Sequence, residues 1–402
     1  FLWPTANQLA MRDTLTLVAS DLIRRQLRQE IQVREQRAGT TRPTAWLLLQ
    51  RAELSRKNAE ALRATGDAPG FDRALTAADS LLALAEREDA KWPDPPTVRA
   101  AIAYRRSRVA SDPAQMRAAI AVAVGHATRA LALDAQSANA LEVRGNAKYW
   151  GWLKGLETNA VQAKAVLESA KADLEQATTA NPNQAGAYAS LSHLYNQVGS
   201  STDVTIAAQR APEADEFLSN ADVVIQRLFL GSYDLGQFDK ADQQCGDQRR
   251  RFPSGVYAVR CQLYMLTTGG KDADVAQARR LADSAMALTA PAAREQPRLL
   301  VDMLVAFVIA RASKAQPALA DSARRLVKRS EGTAAVDPTR DAALTGAEVY
   351  SILGDTTDAI RLLKAYVAAN PQRAQSLRSE SGWWFRDIER DPRYRQLIGA
   401  AK

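Results

Sequence analysis

Histidine and cysteine are scarce in this sequence, which contains two of each among 402 residues. Zinc sites need three or four His, Cys or carboxylate ligands at set spacing, and His126 and His193 do not supply such a set. Neither a G-x-S-x-G elbow nor an H-E-x-x-H motif occurs. We therefore expect no enzyme, no catalytic residue, no cofactor and no metal site. Both histidines are expected to be structural residues with satisfied ring nitrogens.

Long apolar runs are absent as well. The most apolar stretch, residues 299–310, is 12 residues long and contains Asp302, whereas a membrane-spanning helix needs about 20 apolar residues. The first 20 residues lack the basic start and apolar run of a signal peptide. Because the chain begins at Phe1 rather than Met, we expect it to be processed or part of a longer chain. We predict no transmembrane segment, and membrane association only through a partner or an anchor upstream of Phe1.

Aromatic residues make up only 6% of the chain, whereas alanine alone accounts for 77 residues. Ala, Leu, Arg and Gln favour helices, so the composition argues against an all-β fold, and its apolar content argues against a disordered chain. The formal charge of +8 favours acidic partners. Basic residues are dispersed, however, and the only run of three is at residues 249–251. Nucleic-acid binding needs a basic stripe with stacking aromatics, so no nucleic-acid partner is expected.

A ladder of small and turn-forming residues recurs along the chain and indicates an internal repeat. Its clearest copy places Gly354 four residues after Tyr350, Ala359 five residues further on, and Pro371 twelve residues after that alanine. The glycine lets a first helix end in a tight turn, the alanine lets a second helix approach closely, and the proline ends the second helix. Full or partial copies of these intervals are formed by Gly236, Ala241 and Pro253; by Ala170, Leu174, Ala177 and Pro182; by Tyr188, Leu191, Tyr195 and Gly199; and by Ala123, Ala127 and Ala130.

This spacing resembles the tetratricopeptide (TPR) repeat, a helix–turn–helix unit of about 34 residues, over roughly residues 70–371. The resemblance implies an all-α fold, a TPR-like α-solenoid of antiparallel helix pairs. In the copy near residues 138–160, Gly145, Gly151 and Gly155 compete as the turn residue. A helical bundle with coincidental Gly and Pro stops is the alternative. The chain further resembles TPR regions that follow kinase or TolB-like modules in bacterial proteins, although it contains no kinase element.

The two ends of the chain differ from the repeats. Residues 1–43 combine a helical apolar pattern with a short alternating stretch at residues 31–35, which predicts the edge of a small α/β piece. Residues 44–378 are predicted to form the TPR-like array. In residues 379–402, Trp383, Trp384 and Phe385 precede a short last helix, and we expect this aromatic segment to cap the array. An aromatic ligand site is the alternative.

The two cysteines lie at equal distances from a predicted turn. Cys245 precedes Pro253 by eight residues and Cys261 follows it by eight, so their side chains face each other on antiparallel helices. Close helix crossings bring Cα atoms within disulfide range, roughly 4.4–6.8 Å. We favour a disulfide over two free buried thiols. A disulfide predicts an oxidising compartment, periplasmic or otherwise extracytoplasmic, with the cytoplasm as the alternative.

These features favour a non-enzymatic scaffold that presents a curved surface to a protein or peptide partner, with basic residues selecting acidic partners. Two alternatives stay open: a permanent accessory subunit of a membrane-associated assembly on its periplasmic side, and the regulatory half of a longer signalling protein. Aromatic residues of two neighbouring first helices are the candidate partner contacts, although such residues more often belong to a core. They are Tyr149, Trp150, Trp152, Tyr188 and Tyr195.

Overall fold

The computed structural model describes residues 39–399, except 216–217, 219, 374–376 and 378–382. The predicted helix and strand of the α/β piece at residues 1–43 lie outside the described residues. Every regular element in the described part of the chain is helical, as the all-α prediction requires. The α-helices are α1 (Pro43–Ala64), α2 (Ala68–Glu88), α3 (Asp94–Val109), α4 (Pro113–Leu133), α5 (Ala138–Leu153), α6 (Ala160–Ala180), α7 (Ala185–Val198), α8 (Ser201–Ala214), α9 (Ala221–Asp234), α10 (Phe238–Arg251), α11 (Val256–Met265), α12 (Val275–Leu288), α13 (Glu295–Ala312), α14 (Ala320–Arg329), α15 (Asp341–Leu353), α16 (Thr356–Ala369) and α17 (Pro392–Leu397).

The helices pack as consecutive pairs within two compact units. The first unit comprises residues 1–190 and 213–218, and the second comprises residues 191–212 and 219–402, so the chain crosses between them within α7, within α8 and after residue 218. In the first unit α1 packs on α2, α3 on α4 and α5 on α6. In the second unit the pairs are α9–α10, α11–α12, α13–α14 and α15–α16, and each first helix also contacts the next first helix. This arrangement of helix pairs confirms the TPR-like fold class within each unit.

Glycine residues end first helices at the predicted turns. Gly354 follows α15 with φ 77° and Gly236 follows α9 with φ 69°, in the left-handed region that favours glycine. At the first, the N–H of Asp355 donates to the carbonyl oxygen of Tyr350 over 2.9 Å, which satisfies one terminal carbonyl of α15. Among the three competing glycines it is Gly155 that takes a positive φ, 61°.

Small residues bring paired helices together. Ala359 of α16, Ala241 of α10 and Ala177 of α6 are fully buried, as the ladder predicts. Gly145 serves the same purpose in α5, because a Cβ atom there would lie 2.8 Å from Cγ of Leu174 in α6. The repeated positions therefore set how closely each pair can pack.

One helix of the first unit, α4, is long and apolar enough to cross a membrane by length and composition alone. The prediction that the chain has no transmembrane segment was based on residues 299–310 and overlooked α4. The length and composition of α4 are weak evidence for a membrane span, because helices of folded domains pass the same test. Here α4 packs on α3 and α5, and Ala123, Ala127 and Ala130 are fully buried. We therefore describe α4 as the second helix of a pair.

The predicted disulfide is present between α10 and α11. The Cα atoms of Cys245 and Cys261 are 5.5 Å apart and their sulfur atoms are bonded, with both residues buried. The turn at Pro253 separates helices that end at Arg251 and begin at Val256, which places the two cysteines opposite each other. Phe229 and Tyr233 of α9 belong to the same apolar cluster. The disulfide thus joins α10 to α11 within the cluster that contains Phe229 and Tyr233.

Candidate partner-binding face of the second unit

The four first helices α9, α11, α13 and α15 form one side of the second unit, which we call the first-helix face. The short 3-10 turn Trp383–Phe385 lies on this face and contacts α15. Phe385 and Tyr394 are buried in the core of the second unit, and α17 contacts α16. The two tryptophans of the turn extend further, to residues of α9 and α13.

Trp383 is held against the first-helix face by one hydrogen bond and several rings. Its Nε1 donates to the backbone carbonyl of Tyr233 over 3.0 Å. Its ring lies edge-on to Phe238 at 5.1 Å and 6.0 Å from the ring of Phe307. The indole also lies beside Gly236, where a Cβ atom would be 3.6 Å from Cδ1, an ordinary van der Waals distance, so glycine is required here by its φ of 69° and not by the indole.

Trp384 separates two cavities on this face. Its ring stacks on that of Tyr233 with centroids 6.1 Å apart. Its Nε1 is buried and has no hydrogen-bond partner among the described residues. Trp384 and Asp234 line both cavities, so the two cavities meet at these residues.

The first cavity, which we call the aromatic cleft, has a volume of about 790 Å³. Phe238 and Trp383 supply apolar walls in front of the fully buried Phe307, and Lys314 and Arg386 supply positive charge. Neither of these basic side chains forms an ion pair with a residue in the part of the chain that the structure describes. The cleft therefore offers aromatic surface beside cations that remain available to a ligand.

The second cavity, which we call the Glu348 pocket, has a volume of about 210 Å³. Glu348 projects into it from α15 and is only 7% exposed. No hydrogen bond from a described residue reaches its carboxyl group. Burial, and then the negative charge of Asp234, raises the pKa of Glu348 well above its ordinary value. Ionisation of this acid is therefore disfavoured in the unliganded protein.

Arg373 closes one side of the Glu348 pocket. Its guanidinium donates to the backbone carbonyls of Gln197, over 3.2 Å, and of Asn196. It also donates to the hydroxyl of Tyr366 over 2.7 Å. Arg373 thus ties the end of α7 to the segment after α16 and leaves Glu348 without a basic partner.

Two tyrosines add neutral hydroxyl groups to the same pocket. The Tyr233 hydroxyl lies 2.5 Å from the Thr267 hydroxyl, and burial raises the pKa of Tyr233 well above its ordinary value. Burial likewise raises the pKa of Tyr264 to about 12. Both rings therefore contribute aromatic surface without adding charge at neutral pH.

A third cavity, which we call the arginine cleft, lies along α12, α13 and α14 and has a volume of about 640 Å³. Burial raises the pKa of Asp302 at its centre, a shift that Arg298 and Arg329 oppose. No carboxylate of the described residues forms an ion pair with the basic side chains of this cleft. These side chains are Arg279, Arg298, Arg325 and Arg329.

The predicted contact aromatics are only partly brought together. In α5, the rings of Tyr149 and Trp152 stack with centroids 5.9 Å apart. Trp150 donates from Nε1 to the carbonyl of Ser107 over 3.2 Å, and the Arg108 guanidinium carbon lies 3.8 Å from its ring centroid. Tyr188 and Tyr195 are both half-buried on α7 and fall in different units. Their predicted role in partner contact stays a prediction.

Sequence reasoning missed Glu348, Arg373 and the position of Trp384. Glu348 is the only charged residue between Asp341 and the end of α15. An isolated acid in an otherwise apolar helix was the available signal, because such a residue must be paired or neutralised when buried.

The two histidines do not belong to a metal-ligating group among the described residues. His126 of α4 is buried and its Nδ1 has no partner among the described residues, so the expectation of a satisfied ring was wrong for that nitrogen. Burial, then the charges of Arg99 and Arg129, lowers the pKa of His126. His193 Nε2 lies 3.4 Å from Nε2 of Gln197. No group of three metal-ligating side chains occurs within residues that the structure describes.

Comparison with solved structures found TPR proteins. One is a thermophilic TPR protein of Thermus thermophilus, with a TM-score of 0.38, 16% identity, and coverage of 54% of this chain and 99% of that one. Another, from Parabacteroides merdae, has a TM-score of 0.40 and 14% identity over 76% of this chain and 99% of its own. The repeat units of the present chain are TPR-like. The sequence matches no family model and no curated protein.

Proposed function

We propose that this protein is a non-enzymatic interaction scaffold that binds an extended segment of a protein partner on the first-helix face of its second unit. The observation that carries the proposal is the aromatic cleft of about 790 Å³, which residues of several helices form together. Grooves of this kind bind through a few aromatic or apolar anchors, with polar groups at the rim. Phe238 and Trp383 are the anchoring surface, because both rings are partly exposed.

The charges of the second unit favour an acidic partner. Lys314 and Arg386 at the aromatic cleft have no internal ion pairs among the described residues, and the arginine cleft adds four more such cations. The chain as a whole carries a formal charge of +8. Charge of one sign speeds encounter with the opposite sign and suppresses wrong partners.

An oxidising, extracytoplasmic location is part of the proposal. It is supported by the buried disulfide between Cys245 and Cys261, since such bonds are rare in reducing compartments. Mass measurement of protein from the native source, denatured and alkylated with and without prior reduction, tests it. Alkylation of both cysteines without reduction contradicts this location.

A permanent accessory subunit is the second candidate, and one observation favours it. The outward face of α4 is lined by exposed small and apolar residues, with Val122 49% and Leu133 45% exposed. A permanent interface would cover such a face and bury more than about 2,000 Å². Light scattering after size exclusion distinguishes the candidates, because a monodisperse monomer favours the scaffold. The regulatory half of a signalling protein stays a prediction.

Site-specific photo-crosslinking tests the scaffold function. A benzophenone amino acid replaces Lys314 at the aromatic cleft or, as a control, the exposed Arg73 of the first unit, and both proteins are irradiated in the native host. We expect a defined protein adduct from the cleft position only. Its mapped segment is then synthesised, and Arg386→Glu should weaken binding more at low salt than at high salt. Equal adducts from both positions, or none from the cleft, would overturn the proposal.

A further inference from the structure

We propose that the Glu348 pocket accepts the cationic end of a Lys or Arg side chain from the bound segment. This inference rests on the proposed function and adds a basic anchor to a segment whose remaining residues lie in the aromatic cleft. The cation would pair with the carboxylate of Glu348, on the side of the pocket that Asp234 also lines.

The first support is that Glu348 has no hydrogen-bond or ion-pair partner among the described residues. Its side chain is more than nine-tenths buried and lines a cavity, yet no described donor reaches it. A buried acid without a partner costs free energy, and a paired cation offsets part of that cost. A ligand cation supplies the missing partner without any rearrangement of α15.

The second support is the position of Asp234. This residue, at the end of α9, faces the Glu348 pocket and the aromatic cleft. Asp234 and Glu348 line the same pocket, so their two carboxyl groups face one space. A chain lying in the aromatic cleft can therefore pass one side chain beside Asp234 toward Glu348.

The third support is the aromatic wall. Tyr233, Tyr264 and Trp384 line the Glu348 pocket, and aromatic surface stabilises organic cations that leave water. The volume of about 210 Å³ suits one long side chain rather than a folded element.

The pocket also contains cations, and their contacts explain why Glu348 remains available. Arg373 is committed to backbone carbonyls and to Tyr366. The Arg260 guanidinium carbon lies 5.8 Å from the ring centroid of Tyr257 and does not reach Glu348. The titratable and charged groups that face the pocket from the surrounding elements are Tyr233 and Asp234 of α9, Arg260 and Tyr264 of α11, Asp341 of α15, and Arg373.

This arrangement couples cation binding to release of a proton. Glu348 must ionise to pair with the ligand, so affinity should rise as the pH increases toward the pKa of Glu348. If Glu348 instead donated a hydrogen bond as a neutral acid, affinity would fall with increasing pH.

Small probes test the pocket independently of the natural partner. N-acetyl-lysine methylamide and N-acetyl-arginine methylamide are titrated against the full chain, with N-acetyl-norleucine methylamide as the neutral control, and tryptophan fluorescence reports binding. We expect saturable binding of a basic probe in the millimolar range. Glu348→Gln should weaken it at least about tenfold, whereas the exposed Glu88→Gln should not.

The outcomes separate this inference from the proposed function. No saturable binding up to about 50 mM, equal binding of the norleucine probe, unchanged affinity in folded Glu348→Gln, or affinity that falls with increasing pH would each overturn the cation pocket. Circular dichroism checks that the variant is folded. If crosslinks from the aromatic cleft persist while the probes fail, the scaffold function stands and only the basic anchor is wrong.

Discussion

The indole of Trp383 donates its Nε1 hydrogen to the backbone carbonyl of Tyr233, 150 residues earlier in the chain. This bond joins the segment after α16 to the last turn of α9, so the contact spans the intervening helix pairs of the second unit. The disulfide between Cys245 and Cys261 belongs to the same cluster and holds α10 to α11. The first-helix face therefore depends on contacts distant in sequence as well as on the local repeat.

Replacement of Trp383 should destabilise the second unit. Trp383→Ala removes the ring contacts with Phe238 and Phe307 together with the hydrogen bond, and we expect a loss of about 3 kcal/mol. Trp383→Phe keeps most of the ring packing and should cost about 1 kcal/mol. Urea unfolding followed by circular dichroism measures both. Equal effects of the two variants would show that the ring contacts contribute little.

Reduction of the disulfide should also destabilise the second unit. Cys245 and Cys261 are 16 residues apart, and a loop of that length corresponds to about 3 kcal/mol in the chain-entropy account. The midpoint of urea unfolding should decrease when dithiothreitol is added. In the Cys245→Ala, Cys261→Ala double variant the midpoint should be independent of dithiothreitol, which separates bond loss from general effects of the reagent.

The turn after α15 gives a third prediction. Gly354 has φ 77°, and a Cβ atom there would meet nothing within 4 Å, so the cost of Gly354→Ala comes from the backbone alone. We expect about 1–2 kcal/mol, measured as a shift in the urea midpoint. Gly354→Asn should recover part of this, because Asn tolerates the left-handed region.

Gly269 is the matched control for that prediction. A Cβ atom at Gly269 would also meet nothing within 4 Å, but the φ of this residue is not positive. Gly269→Ala should therefore leave the urea midpoint nearly unchanged. A comparable loss at both positions would mean that the left-handed conformation is not the cause.

The repeat could be predicted from the sequence because its signals are local. Gly354 and Ala359 act within one turn and one helix pair, and their spacing is visible without any knowledge of distant contacts. The Cys245–Cys261 pair was predictable for the same reason, since one turn at Pro253 sets both positions. Fold class and disulfide therefore followed from residues close together in the chain.

The candidate site could not be predicted in this way. The Glu348 pocket is assembled from α9, α11, α15 and the 3-10 helix Pro371–Arg373, which lie far apart in the sequence. An acid in a helix is ordinarily exposed, and only the packing of these elements buries Glu348. Trp384 is recognisable as an aromatic near the end of the chain, but nothing local to it indicates contact with Tyr233.

Glu348 should make the stability of the free protein depend on pH. Its pKa is raised in the folded state, so between its ordinary value of 4.5 and that raised value the native protein holds a proton that the unfolded chain releases. Stability therefore decreases as the pH rises above about 4.5. Glu348→Gln removes this loss, and we expect the variant to melt at a higher temperature than the original protein at pH 7 and at the same temperature near pH 4.

Glu60 in the first unit provides a control of opposite sign. The Arg105 guanidinium donates to its carboxylate over 2.7 and 2.6 Å and, chiefly through this contact, lowers the pKa of Glu60. A lowered pKa contributes stability that is present above 4.5 and lost as the pH falls, so Glu60→Gln should be less stable than the original protein at pH 7. Melting curves from pH 4 to 8 for both variants should thus diverge from the original protein in opposite directions. Parallel curves for Glu348→Gln would show that its carboxyl group is already ionised or solvated in the folded state.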